Sequence, residues 1–160
     1  MDLREKDRLL LNLRSLPGEI EDLLYGISDD VLSWCPAPDK WCIKEILCHL
    51  RDIDKDVYLN RYRKMVEEDD PILYGVDADK MAAEGDYMSH DAATVLSEFD
   101  LVREELVEYL EGLPEEAWSR KGVHDTAGPI TIHGQVVRQG NHDVNHLDQM
   151  KDIIRIKVLK

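Results

Sequence analysis

The stretch IKEILCHLRDIDKDVYLNRYRKMVEE, residues 43–68, decides the fold. Ile43, Ile46, Leu47, Leu50, Ile53 and Val57 recur in steps of three and four, with Met65 further on, and paint one apolar stripe along a helix. At the standard helical rise such a segment is about 39 Å long. Asp69-Asp70-Pro71 ends it, because proline cannot continue the ladder.

The same pattern recurs on both sides. Upstream, Cys35-Pro36-Ala37-Pro38 is a rigid extended connector. Before it, Asp2 to Tyr25 carries Leu9, Leu10, Leu13 and Leu16, then Ile20, Leu23 and Leu24, with Pro17 between. The spacing predicts a helix that kinks or restarts near Pro17 and ends at Gly26. Downstream, Pro71, Gly75 and Gly85 break residues 72–89, leaving room for a short helix over Asp79 to Glu84. This segment is long enough to cross from one end of a bundle to the other. A third helix is expected over Asp91 to Glu111, with Leu96, Phe99, Val102, Leu106, Tyr109 and Leu110 inward and Gly112 and Pro114 ending it. Pro114 to Trp118 adds one turn, and Ser119 to Pro129 reads as a loop. A fourth helix follows the N-cap Thr131 to about Arg155, striped by Ile132, Val136, Leu147, Met150 and Ile154. The fold class expected is all-α, a four-helix bundle with a long connection between the second and third helices, residues 1–160 forming one domain.

Composition agrees. A chain of 160 residues that is 43% hydrophobic and 34% charged is a folded domain rather than a disordered one. With 6% aromatics, Gly 9 and Pro 6, a turn-rich β-sandwich is disfavoured. Lys plus Arg total 20 against 34 Asp plus Glu, a net charge of −14, which repels phosphate backbones and anionic headgroups. Neither nucleic acid nor a membrane is expected as partner. No apolar run spans a bilayer, and the charged Met1-Asp2-Leu3-Arg4 start lacks the apolar region of a signal peptide. Cys35, Cys42 and Cys48 fit a reducing cytoplasm better than a disulfide framework.

Among six histidines, His142 and His146 alone have helical i, i+4 spacing. Both rings can reach one ion, at the edge of the apolar stripe beside Gln135 and Gln139. The same spacing also describes two surface histidines. A catalytic type of site needs a third ligand and an open position. His49, bordering the stripe of the second helix, is the candidate; it reads equally as a partly buried histidine bonded to a carboxylate. Asp52 and Asp56 share its side and could orient an imidazole. The paired Glu-x-x-His motifs of di-iron bundles are missing.

These residues suggest a family. Trp41-Cys42-Ile43-Lys44-Glu45 with His49-Leu50 resembles the Trp-Ser-x-x-Glu-x-x-x-His-Leu signature of the DinB-like superfamily, and His142-x-x-x-His146-Leu147-Asp148-Gln149 resembles its C-terminal element. Leu16-Pro17, Pro36-Ala37-Pro38-Asp39-Lys40, Trp118-Ser119-Arg120, His124 and Gly128-Pro129 extend the match from about Leu13 to Ile154. The resemblance implies a four-helix bundle with a crossed connection and a divalent metal (zinc, nickel or iron) on His49, His142 and His146. It also implies homodimers and chemistry with a low-molecular-weight thiol. Cys42 stands where the family has serine, which weakens the capping box with Glu45, and Gly134 replaces a better helix former.

The reading that follows is a metal-dependent enzyme of small-molecule chemistry, with thiol S-transfer preferred. A metal-dependent hydrolase and a non-catalytic, dimeric stress-related module with a structural metal are the alternatives. Cys42 and Cys48 read as packing residues. Trp41 either packs a helix end or frames the pocket, and His124 either caps its loop or lines the pocket mouth. A structural site would be closed by a fourth ligand such as Asp52 or Asp143.

Overall fold

A computed structural model describes residues 3–159 of the chain; the expected helix start at Asp2 lies outside them. Four long helical segments pack side by side. They are α1 (Leu3–Leu24), the run α3 (Ile43–Asp52) through α4 (Leu59–Glu67), α6 (Ala92–Glu111) and α7 (Ile132–Val158). Short helices α2 (Asp29–Leu32) and α5 (Ala78–Glu84) decorate the connections. Both α1 and α3 pack against α6 and α7, so each long segment has two neighbours. The all-α bundle expected from the stripes is the fold, with α5 and a 3₁₀ turn at Tyr87–Ser89 lying in the long connection.

Pro17 neither breaks nor restarts α1. Proline has no N–H for the Leu13 carbonyl four residues back. That carbonyl instead accepts from Arg103 Nη1 at 2.8 Å. A side chain from α6 thus replaces the lost backbone bond, and the helix stays whole.

The second segment is not one regular helix. Residues Ile53–Tyr58, between α3 and α4, form a π-helix. Such insertions are rare and collect at functional positions. This one carries Asp54, fully buried, and Tyr58.

Two expectations need correction. Residues 119–129 are not a plain loop. β2 (Lys121–His124) and β3 (Gly128–Thr131) form an antiparallel hairpin, and β1 (Ile72–Leu73) joins β2 in parallel register, Ile72 opposite Val123. Strands this short leave no periodic signal, and their pairing is long-range. Gly122 is required there, because a Cβ would sit 2.9 Å from the Leu73 side chain. Arg120 ties the hairpin to the bundle: its Nε and Nη2 donate to the carbonyls of Met65 and Glu68, each at 2.6 Å, at the C-terminal end of α4. The inward face of α6 is also rotated: Val95, Phe99, Arg103, Leu106, Val107 and Leu110 are buried, while Val102 and Tyr109 are only half-buried. An arginine occupies the middle of the stripe.

The expected cap at Thr131 forms, and Asp91, read as the first helical residue, is the N-cap of α6. Thr131 accepts from the Gly134 N–H and Asp91 from the Thr94 N–H. Glu45 accepts from the Cys42 N–H at 2.9 Å, so this half of the capping box survives the serine-to-cysteine change.

Candidate metal centre

α3 delivers His49 and α7 delivers His142 and His146 to one point. The Nε2 atoms of His49 and His142 are 3.0 Å apart, and those of His142 and His146 are 3.1 Å apart. The ligand atoms of all three lie within 4.8 Å of one another. Tetrahedral nitrogen ligands about 2.1 Å from a zinc ion would themselves be roughly 3.4 Å apart. His49 is 3% exposed, whereas His142 and His146 are partly exposed, so the cluster opens to solvent on the α7 side.

Proton bookkeeping points to a cation. His146 Nδ1 lies 3.0 Å from Gln149 Oε1 and donates to it. Its Nε2 therefore presents a lone pair. His142 Nε2 carries either a proton or a lone pair and cannot both donate to His146 and accept from His49, so only one of the two close contacts can be that hydrogen bond and the other is left in conflict. A positive ion shared by three lone pairs removes that conflict, and the donor set suits it.

The surroundings favour the same sign. Arg103 is fully buried between two carboxylates. It donates to Asp54 at 2.6 and 3.3 Å and to Asp143 at 2.8 and 3.2 Å. Gln139 donates to Asp54 Oδ1 at 2.8 Å and accepts from Tyr62 Oη at 2.8 Å. Two carboxylates about one guanidinium leave a buried excess of one negative charge. Asp143 Oδ1 is 3.7 Å from His142 Nδ1, so that excess borders the imidazoles. Burial pushes Asp54 up to about 6 against the pull of Arg103. Asp143, although desolvated, is held below the ordinary carboxylate range by Arg103 and His142.

The other expected site residues fall as follows. Trp41 walls the cluster, its ring 4.9 Å from that of His49 and stacked at 6.3 Å on that of His146. Gln139 sits one layer behind, holding Asp54. Asp52 is engaged by Arg51 at 2.7 Å. Asp56 is exposed, its carbonyl accepting from Asn60. His124 turns Nδ1 toward the N–H groups of Thr126 and Ala127, both at 3.3 Å, and caps the β2–β3 turn. Sequence reasoning passed over Arg103, Asp54 and Tyr58, whose ring lies 6.0 Å from that of His142. The motif did contain Gln149, but its work on the His146 tautomer needs coordinates.

Two predictions arise here. Gln149→Leu removes the acceptor that fixes the His146 tautomer and is expected to weaken metal affinity about 10–100-fold. Competition against a chelating dye measures this, and unchanged affinity would refute it. The second concerns the metal-free protein. Burial, with His146 and His142, lowers His49 to about 3; burial, with His142, lowers His146 to about 4. Unfolded histidines return to 6.5. Below that value the unfolded chain binds two protons that the folded chain refuses. Asp54, raised to about 6, offsets one of them. Stability therefore falls as pH drops from about 6.5 to about 4, by about 1.4 kcal/mol per pH unit for the net proton. Urea titrations of chelator-treated protein at about pH 7 and about pH 5 test the sign; equal stabilities would contradict it.

Fold and cluster together define a class: a four-helix bundle with a partly exposed three-histidine cluster between its helices. The profile of the DinB superfamily matches residues 12–150, and the chain belongs to that family. It is 30% identical over 142 residues to the uncharacterized protein YuaE of Bacillus subtilis, covering 81% of this chain and 87% of that protein. Its fold matches that of Bacillus subtilis YfiT with a TM-score of 0.89 at 18% identity, over 98% of this chain and 90% of the other. YfiT is described as a probable metal-dependent hydrolase with an unusual four-helix bundle topology. No described helix of the present protein is long and apolar enough to cross a membrane.

Proposed function

We propose that this protein is a divalent-metal-dependent enzyme of small-molecule chemistry, with His49, His142 and His146 as the ligands and hydrolysis as the reaction class. One observation carries the reading. The three imidazoles converge with no carboxylate grouped with them; Asp143, beside His142, is held by Arg103, and Asp52 is paired with Arg51, so no fourth ligand among the described residues closes the site. Three ligands and an open position are the mark of catalytic rather than structural centres.

When bound, a zinc, nickel or ferrous ion would polarise a substrate oxygen and bring the pKa of a coordinated nucleophile toward neutrality. The chain supplies the rest. Gln149 holds the proton of His146 on Nδ1, and Trp41 shields the His49 side from water. Arg103 locks Asp143 beside His142. Arg61 and Arg138 stand close enough to lower the pKa of His124, after desolvation. Burial and the carboxylates of Asp143 and Asp54 raise the Tyr58 hydroxyl, beside His142, against a smaller opposing pull from Arg61 and Arg138.

Water as nucleophile is supported by the description of YfiT. The same open positions suit a low-molecular-weight thiol, so the assay carries both arms. Zinc-, nickel- and iron-loaded protein is offered small esters and amides without thiol, and monochlorobimane with glutathione, bacillithiol or mycothiol. Turnover without thiol, lost in His142→Ala, is the expected result. Strict thiol dependence would replace hydrolysis by S-transfer. No turnover in either arm, from protein holding one ion per chain, would overturn the enzyme reading in favour of a structural metal.

A further inference from the structure

A second cluster lies apart from the imidazoles, where the connector meets the start of α3. Cys35, Cys42 and Glu45 place their ligand atoms within 4.8 Å of one another. Met88 completes the group, its Sδ 3.1 Å from Cys42 Sγ. Cys42 is fully buried, Cys35 is half-buried, and Met88 is 42% exposed. A cleft of about 460 Å³, lined in part by Cys35, Lys40, Glu45 and Met88, gives access from solvent.

The turn that presents Met88 is tightly fixed. Asp86 has φ 45°, a left-handed conformation uncommon outside glycine. A Cβ on Gly85 would lie 2.5 Å from the Tyr87 ring, so no other residue fits there without rearrangement. Ser89 N–H closes the turn on the Asp86 carbonyl at 2.9 Å. An exposed methionine on a strained and fully determined turn, with its sulfur aimed at a buried thiol, is an unusual use of backbone strain.

We propose that Cys35, Cys42 and Met88 form a site for a soft monovalent metal ion of the copper(I) type, separate from the three-histidine centre. Two thiols and one thioether are the donors that select such ions over hard divalent ones. Glu45 is committed to the Cys42 N–H and positions that thiol, leaving three sulfur ligands. Binding forms three metal–sulfur bonds and releases two protons, one from each cysteine. The resulting centre carries one negative charge, which Lys40 at the same cleft offsets. No redox step is involved. Burial holds the free Cys42 thiol protonated, its pKa near 12, so the thiolate forms only with the ion in place.

The test uses anaerobic, fully reduced protein and copper(I) delivered in competition with bathocuproine disulfonate. One copper per chain is expected, both in the native protein and in a His142→Ala/His146→Ala variant. X-ray absorption should report a sulfur-only shell. Cys35→Ser should lose affinity on the order of 100-fold, and Met88→Leu about 10-fold. Cys42→Ser supplies a hydroxyl well suited to capping α3, so it should fold while losing copper as Cys35→Ser does. Copper affinity as high as the native protein's in both serine variants would overturn the proposal. So would a nitrogen shell, or loss of copper in the double-histidine variant. A Cys35–Cys42 disulfide that, once reduced, yields a protein unable to take up copper would also overturn it.

Discussion

His142→Ala is expected to empty the three-histidine centre. Native protein purified without a histidine tag should carry close to one divalent ion per chain, and the variant close to none. His142 is the middle of the three, within 3.1 Å of both partners. Its removal leaves His49 and His146 on different helices with no ligand between them. Loss of one of three protein ligands should weaken binding by more than the 10–100-fold typical of an outer-shell change, on the order of a thousandfold. Any metal-dependent turnover should disappear with it. The fold should survive, because His142 is partly exposed and its ring is not part of either apolar cluster. Metal analysis with a circular dichroism control decides the matter. A variant that keeps its ion would remove these histidines from the metal.

Arg103→Leu is expected to be the most destabilising single change in the bundle. The guanidinium touches Asp54, Asp143 and the Leu13 carbonyl, and lies 4.9 Å from the Phe99 ring centroid. Without it, two carboxylates are left buried with no cation, and Pro17 again leaves a carbonyl unsatisfied. Breaking a buried pair in this way costs about 3–5 kcal/mol. For a domain of this size that is a fall in Tm of roughly 6–20 °C. Arg103→Lys should recover little, because an ammonium cannot fork across two carboxylates. Adding Asp54→Asn and Asp143→Asn to Arg103→Leu should restore part of the loss by removing the uncompensated charge. Urea denaturation of the three variants reads this out. A loss below about 1 kcal/mol in Arg103→Leu would show that the network contributes little.

The two predictions are linked through Asp143, which faces Arg103 with both oxygens and His142 at 3.7 Å. The π-helical turn places Asp54 on the far side of the same arginine. The buried network therefore fixes the shelf on which the imidazoles of α7 stand. Weaker metal binding in Arg103→Leu, beyond what its loss of stability explains, would measure that linkage.

Much of this was legible in the chain alone. The apolar stripes of the first, second and fourth helices, the cap at Thr131 and the stop after Glu111 depend on neighbours within one or two turns. The pairing of His142 with His146 is equally local, a consequence of 3.6 residues per turn. Other features left no trace. The hairpin has strands of four residues and joins β1 fifty positions away. Arg103 reads as a surface residue until its partners on three other helices are seen. Pro17 reads as a kink or restart until α6 supplies the missing donor.

The sequence by itself determined which long segments are helical, which faces of the first, second and fourth are apolar, and which histidines border those faces, because each depends on periodicity within a segment. Only the tertiary structure decided that His49 meets the other two, that Asp143 and Asp52 are unavailable as a fourth ligand, and that a buried arginine is compensated. Those outcomes depend on distances between helices, and burial makes an unpaired charge or an unsatisfied polar atom costly only once the helices have packed.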